Sequence, residues 1–124
     1  MVSHIVSIKT EVRDAEAVKS ACKRLNLEEP FFTKAKFYMG EEVTGLAIRL
    51  PGYFYLTLAD LTTGQLYYDN YEGAWGDQKH VDSFLQAYAV EKATIEAKKR
   101  GHTVFEQPLS DGSIKLVIQV GGAA

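Results

Sequence analysis

The chain holds a single cysteine, Cys22, so no internal disulfide can form, and one thiol in 124 residues points to a reducing compartment or to indifference to redox state. No apolar run approaches the roughly 18 residues that a membrane span needs. The first residues show no apolar stretch followed by a cleavage site, and neither end shows a lipidation signal. The expected address is therefore the cytoplasm or an organelle stroma, with no membrane partner. An excess of one charge is also missing. Fourteen basic residues face 16 acidic ones, a formal net charge of −2, which leaves no overall field to gather nucleic acid. The densest basic run, Lys98-Lys99-Arg100, stands before Gly101 at a helix end, where cations meet the negative end of the helix dipole. No H-x-x-x-H or C-x-x-C spacing occurs, so no metal site is expected. Gly40, Gly45, Gly52 and Gly64 are isolated at turns and do not form a phosphate-cradling loop, so no cofactor is expected either.

The patterning is that of an ordinary globular domain: 46% hydrophobic and 24% charged residues, without repeats or low-complexity tracts. A chain of this length fits one domain, assigned to residues 1–120, with the small residues 121–124 as a flexible tail. From Val2 to Val12, apolar side chains alternate with polar ones, which predicts a first strand. Asp14 then stands at an N-cap position, and Ala17, Val18, Ala21, Cys22 and Leu25 recur at helical spacing until Asn26 and Pro30. Phe31 to Met39 reads as a strand ending at Gly40. Leu46, Ile48 and Leu50 alternate before the Pro51-Gly52 turn, and Phe54, Leu56 and Leu58 alternate after it, all expected to face the core. The Thr62-Thr63-Gly64 turn leads to a further strand-like segment, Leu66 to Tyr71.

Between Asp77 and Arg100, Val81, Phe84, Leu85, Tyr88, Lys92 and Ile95 mark one face of a long second helix. A final hairpin joins Val104–Gln107 to Ser113–Val120 through Ser110-Asp111-Gly112. Its Ile114, Leu116, Ile118 and Val120 alternate onto one side, expected to lie under the long helix. The order β-α-β-β-β-β-α-β-β has no βαβα alternation. It predicts an α+β fold with an antiparallel sheet and two helices packed on one face, like a ferredoxin-like plait with an inserted hairpin.

Ser3-His4-Ile5, Ile8-Lys9-Thr10 and Arg13-Asp14 at the start of the first helix resemble the opening of a known family. Trp75, Tyr88-Ala89, Gly101, Val104, Glu106-Gln107 and Asp111-Gly112-Ser113-Ile114 with Leu116 and Gln119 resemble its closing segment. This is the family of hypothetical chloroplast reading frame thirty-five proteins and their cyanobacterial and other bacterial relatives. The resemblance implies no activity and transfers no catalytic residue, because the family is defined by occurrence. The segment from Pro30 to Asn70 and the ending Val120-Gly121-Gly122 depart from its pattern.

Few residues suggest chemistry. The parity of His4 places it on the apolar side of strand one, a candidate buried polar site whose imidazole needs a partner. Cys22 sits on the face of helix one that carries Val18 and Leu25, so it reads as core packing and not as a nucleophile. Asp60, Asp69, Glu72 and Asp77 lack calcium-loop spacing and read as caps and turn residues. The stronger signal is aromatic: Tyr53, Tyr55, Tyr67, Tyr68, Tyr71 and Trp75 concentrate in two neighbouring hairpins. If Phe54, Leu56 and Leu58 face the core, Tyr53 and Tyr55 stand on the opposite sheet surface, where rings supply rigid contact area. The expected function is a small non-enzymatic interaction or accessory module that binds a protein partner or a second copy of itself, using Tyr53, Tyr55, Tyr67 and Trp75. The alternative is a small-molecule binder or enzyme with a pocket between sheet and helices near His4, with Glu106 or Asp60 as the carboxylate partner.

Overall fold

The computed structural model describes residues 6–9, 11–37 and 40–120. The chain runs β1 (Val6–Lys9), α1 (Ala15–Arg24), β2 (Phe31–Lys36), β3 (Glu42–Ile48), β4 (Thr57–Asp60), β5 (Gln65–Tyr68), a short 3-10 turn (Tyr71–Gly73), α2 (Gln78–Lys99), β6 (Thr103–Pro108) and β7 (Ile114–Gln119). This is an α+β fold in the order expected. His4 and residues 121–124 lie outside the described residues. No described helix is long and apolar enough to cross a membrane.

Both helices start where a carboxylate can accept their free amides. Asp14 Oδ1 accepts from the N–H groups of Glu16 and Ala17, and Asp77 caps α2 through the N–H of Lys79. Helix α2 ends at Lys99 with Arg100 as its C-cap, and Gly101 follows with a φ of +77° that a side chain would resist; Lys98 and Lys99 stand in the last turn.

Strands β2 to β5 form an antiparallel meander, and β1 pairs antiparallel with β5, so the sheet order is β1-β5-β4-β3-β2. The layering is that of a plait, with both helices on one face, while β1 stands at the sheet's edge. Cross-strand register sets which residues share a face. Leu46, Ala59 and Leu66 lie abreast, and with Ile48 and Tyr68 they meet Ala17, Val18, Ala21 and Cys22 of α1 and Val81, Phe84 and Tyr88 of α2. Gly45, expected at a turn, instead lies within β3 and permits this pairing: a Cβ there would lie 2.5 Å from the carbonyl oxygen of Ala59.

The last hairpin does not join the main sheet. Strands β6 and β7 form a two-stranded sheet of their own. The burial expected for its apolar side is only partial: Ile114 and Leu116 are half-buried, whereas Ile118 and Val120 are exposed. The cause is that α2 already gives Val81, Phe84 and Tyr88 to the main core. Only a second stripe, half a turn around the helix, remains for the hairpin. That stripe holds buried Val90 and Ala97, and Gln86, whose Nε2 donates to the carbonyl of Gly112. One helix flank is too narrow to cover a twisted two-stranded ribbon to its end.

Candidate functional site: an aromatic patch on the helix-free sheet face

The alternation that sends Leu46, Ala59 and Leu66 toward the helices sends Ala47, Leu58 and Tyr67, also abreast, to the other face. Among the described residues no helix covers that side. A second, smaller apolar cluster forms there from Phe37, Ala47 and Leu58, with Ala35, Val43, Tyr55, Leu56 and Tyr67 partly buried against it. Phe37, just past β2, is held inward by a turn in which its N–H donates to the Glu41 carbonyl and its own carbonyl accepts from Gly40.

Aromatic rings continue outward from this cluster. Phe37 and Tyr55 have centroids 6.0 Å apart, Tyr55 and Trp75 5.7 Å, and Trp75 and Tyr71 4.8 Å. Phe54 stands edge-on to Tyr55 at 5.0 Å and 6.1 Å from Trp75, yet 74% of its surface remains open to solvent. Offset and edge-on contacts at these distances are favourable ring geometries. A large exposed ring held by two others is a preformed contact surface, because little side-chain freedom is left to lose on binding.

The patch is built by two loops locked together. The N–H of Phe54 donates to the Trp75 carbonyl at 3.0 Å, and the Tyr53 hydroxyl donates to the Asp77 carbonyl at 2.9 Å. The Tyr53 ring lies over Gly76, where a Cβ would meet it at 2.5 Å. Behind them, buried Asp69 and Asn70 shape the turn. Asp69 Oδ1 accepts from the Tyr71 N–H, while Asn70 Nδ2 and the Tyr68 hydroxyl both donate to Gln78 Oε1 at 3.1 Å. Tyr71 and Glu72 take positive φ values of 45° and 50°, conformations that tertiary contacts must hold.

The four residues singled out in the sequence divide unevenly. Tyr55 and Trp75 join the patch, and Tyr67 packs on the same face, its hydroxyl donating to Gln65 Oε1. Tyr53 does not stand there. It packs against the main core, and burial, opposed by a hydrogen bond with Asn70, raises its phenol above the usual value. The parity expected for Phe54, Leu56 and Leu58 fails because β4 begins only at Thr57. Residues 53–56 are irregular, so Phe54 points to solvent and Leu58 packs on the helix-free face. Phe54 is the residue the sequence hides. Its one signal is its place just after the Pro51-Gly52 turn, where strand alternation need not hold.

A cleft of about 380 Å³ opens beside the patch between the end of α1 and the 49–56 loop, touching Leu27, Arg49, Tyr53, Phe54 and Tyr55. At its rim Arg49 pairs with Glu28 at 3.2 Å and lies over the Phe31 ring. Glu106 and Asp60 are the carboxylates expected as partners of His4, which lies outside the described residues. Glu106 binds Arg24, and Asp60 Oδ1 accepts from the N–H groups of Thr62 and Thr63. Cys22 is buried, and desolvation pushes its thiol up to about 11, which leaves no thiolate nucleophile near neutral pH. Among the described residues no three His, Cys, Asp or Glu side chains gather as metal ligands.

Comparison of the chain with protein-family models, with curated proteins and with solved structures finds no match.

Proposed function

We propose that this chain is a non-enzymatic interaction module that docks a protein partner on the patch of Phe54, Tyr55, Tyr71 and Trp75. The observation that carries the reading is Phe54, a large ring 74% exposed yet packed against Tyr55 and Trp75. The adjoining cleft has the size to take a partner's side chain, the arrangement in which aromatic anchors contribute most to binding. A protein fits better than a nucleic acid. Lys34 on β2 is paired with Glu42 and Arg49, just past β3, with Glu28, and a formal net charge of −2 gives no overall field to gather a phosphate backbone.

The test is affinity capture from native lysate using the unaltered chain, Phe54→Ser and Phe32→Ser as baits. Phe32 is also exposed, on β2, and serves as the control. A partner retained by the chain and by Phe32→Ser but lost by Phe54→Ser is the expected result. The same bound set for all three baits removes the patch from the reading. Binding of that partner should also shift the Trp75 emission, since the indole lies within the patch.

We also propose membership of the hypothetical chloroplast reading frame thirty-five family and residence in the cytoplasm or an organelle stroma. The support is the ordered set of short motifs from Ser3-His4-Ile5 to Asp111-Gly112-Ser113-Ile114. A member of that family found with a different order of strands would remove the first. A tagged chain found in a secreted fraction would remove the second.

A further inference from the structure

We propose that two copies of the chain pair through β7, antiparallel about a two-fold axis at Val117, to make one four-stranded sheet from two hairpins. This surface belongs to different elements from the aromatic patch, and its test reads only the association of the chain with itself.

The hairpin has the features of a sheet lacking strands. Two strands alone are marginal in water, and three or more are needed for an independently stable sheet. Here α2 supports one side, while Phe105 is 54% exposed, Val117 43% and Ile118 45%. Among the described residues no strand lies on the side of β7 away from β6.

Natural edge strands are protected by proline and by charge; each strand here carries one charged residue, but only β6 has a proline. Strand β6 ends in Pro108, which has no N–H to give, and carries Glu106 tied to Arg24. Strand β7 carries no proline and no acid, and Lys115 is its one charged residue. The open edge is therefore that of β7.

The β7 sequence is complementary to itself in one register. With Val117 facing Val117 of the second copy, Leu116 faces Ile118, Ile114 faces Val120 and Lys115 faces Gln119, so apolar meets apolar and polar meets polar throughout. The neighbouring registers are worse. Centring on Lys115 sets two ammonium groups face to face, centring on Leu116 sets Lys115 against Val117, and centring on Ile118 sets Gln119 against Val117. The favoured register also extends an existing cross-strand pair. Phe105 lies directly opposite Val117 within the hairpin, so the dimer lines up Phe105, Val117, Val117 and Phe105 across four strands on the outer face. Such an interface is isologous and closed, the commonest form of homodimer.

Sedimentation of the full chain should give twice its mass of 13.8 kDa, and Val117→Lys, which sets two like charges on the axis, should give the single mass. Cysteine scanning tests the register even if that variant fails to fold. Under mild oxidation Val117→Cys should cross-link to itself, because residues facing across antiparallel strands lie within disulfide reach. Lys115→Cys and Gln119→Cys should cross-link only when mixed with each other. Cys22, buried, is spared. A single-chain mass at every concentration, as expected if another protein's strand fills this edge, overturns the proposal. So does self-cross-linking of Lys115→Cys as ready as that of Val117→Cys.

Discussion

The hydroxyl of Tyr88 on α2 stands 3.1 Å from the backbone nitrogen of Asp14, the residue that caps α1. It also accepts from the Arg13 N–H at 3.1 Å and donates to the Glu11 carbonyl at 3.2 Å. One phenol thus uses its donor and both acceptor sites to fix the entry of α1 against α2. Tyr88→Phe keeps the ring in the core but leaves three partly buried backbone groups without that partner. The expected cost is about 1–3 kcal/mol, read as a lower urea midpoint. An unchanged midpoint means that the phenol does not hold this junction.

Acid should destabilise the fold through two ion clusters. Arg24 reaches Glu91 at 2.7 Å and Glu106 at 2.5 Å, linking α1, α2 and β6, and its hydrogen bond holds the Glu106 carboxyl below the usual range. Burial works to raise the Asp14 carboxyl, but the Lys92 ammonium 3.0 Å away and the N–H groups of Ala17 and Glu16 outweigh it and keep the value low. Both groups bind protons less readily when folded, so their contribution is complete above the unfolded carboxylate values near about 4. It is lost as pH falls through the lower folded values. Denaturation midpoints should therefore drop on acidification from neutral pH, and Glu106→Gln should flatten part of that drop. A midpoint that rises toward acid contradicts this account.

Cys22 should be silent toward a thiol reagent in the native protein at mildly alkaline pH, because burial both blocks access and keeps the sulfur protonated, with its value near 11. Full reaction should follow unfolding in denaturant. Rapid labelling without denaturant would show that the α1 face opens readily to solvent.

Thr57 is a point of unused stability. Its hydroxyl is buried and has no hydrogen-bond partner among the described residues, on β4 directly opposite Ile48. Thr57→Val keeps the shape, removes the unpaired polar atom and should raise stability by about 1 kcal/mol, seen as a higher melting temperature. A lower melting temperature would mean that the hydroxyl finds a partner in solution.

The legible parts of this fold are those set by short-range chemistry. Asp14 and Asp77 are readable as caps because the free amides they serve lie two and three residues away. Leu46 and Ile48 are readable as inward-facing because β3 is regular there. Phe54 is not, since its direction depends on a bond from its own N–H to the Trp75 carbonyl, 21 residues distant, and on where β4 begins. The ring cluster at the candidate site is half readable for the same reason. The crowding of tyrosines and Trp75 shows in the sequence, but which rings share a face does not.

By itself the sequence determined the α+β class, the order of elements, the helix ends and the apolar stripe of each helix, because periodicity and capping act over a few residues. The tertiary structure decided that β1 joins β5 at the edge, that the last hairpin stands apart on the second stripe of α2, and that Phe54 faces water while Tyr53 turns inward. Those outcomes follow from competition among distant segments for a limited area of helix and sheet, and local pattern carries no record of which segment wins.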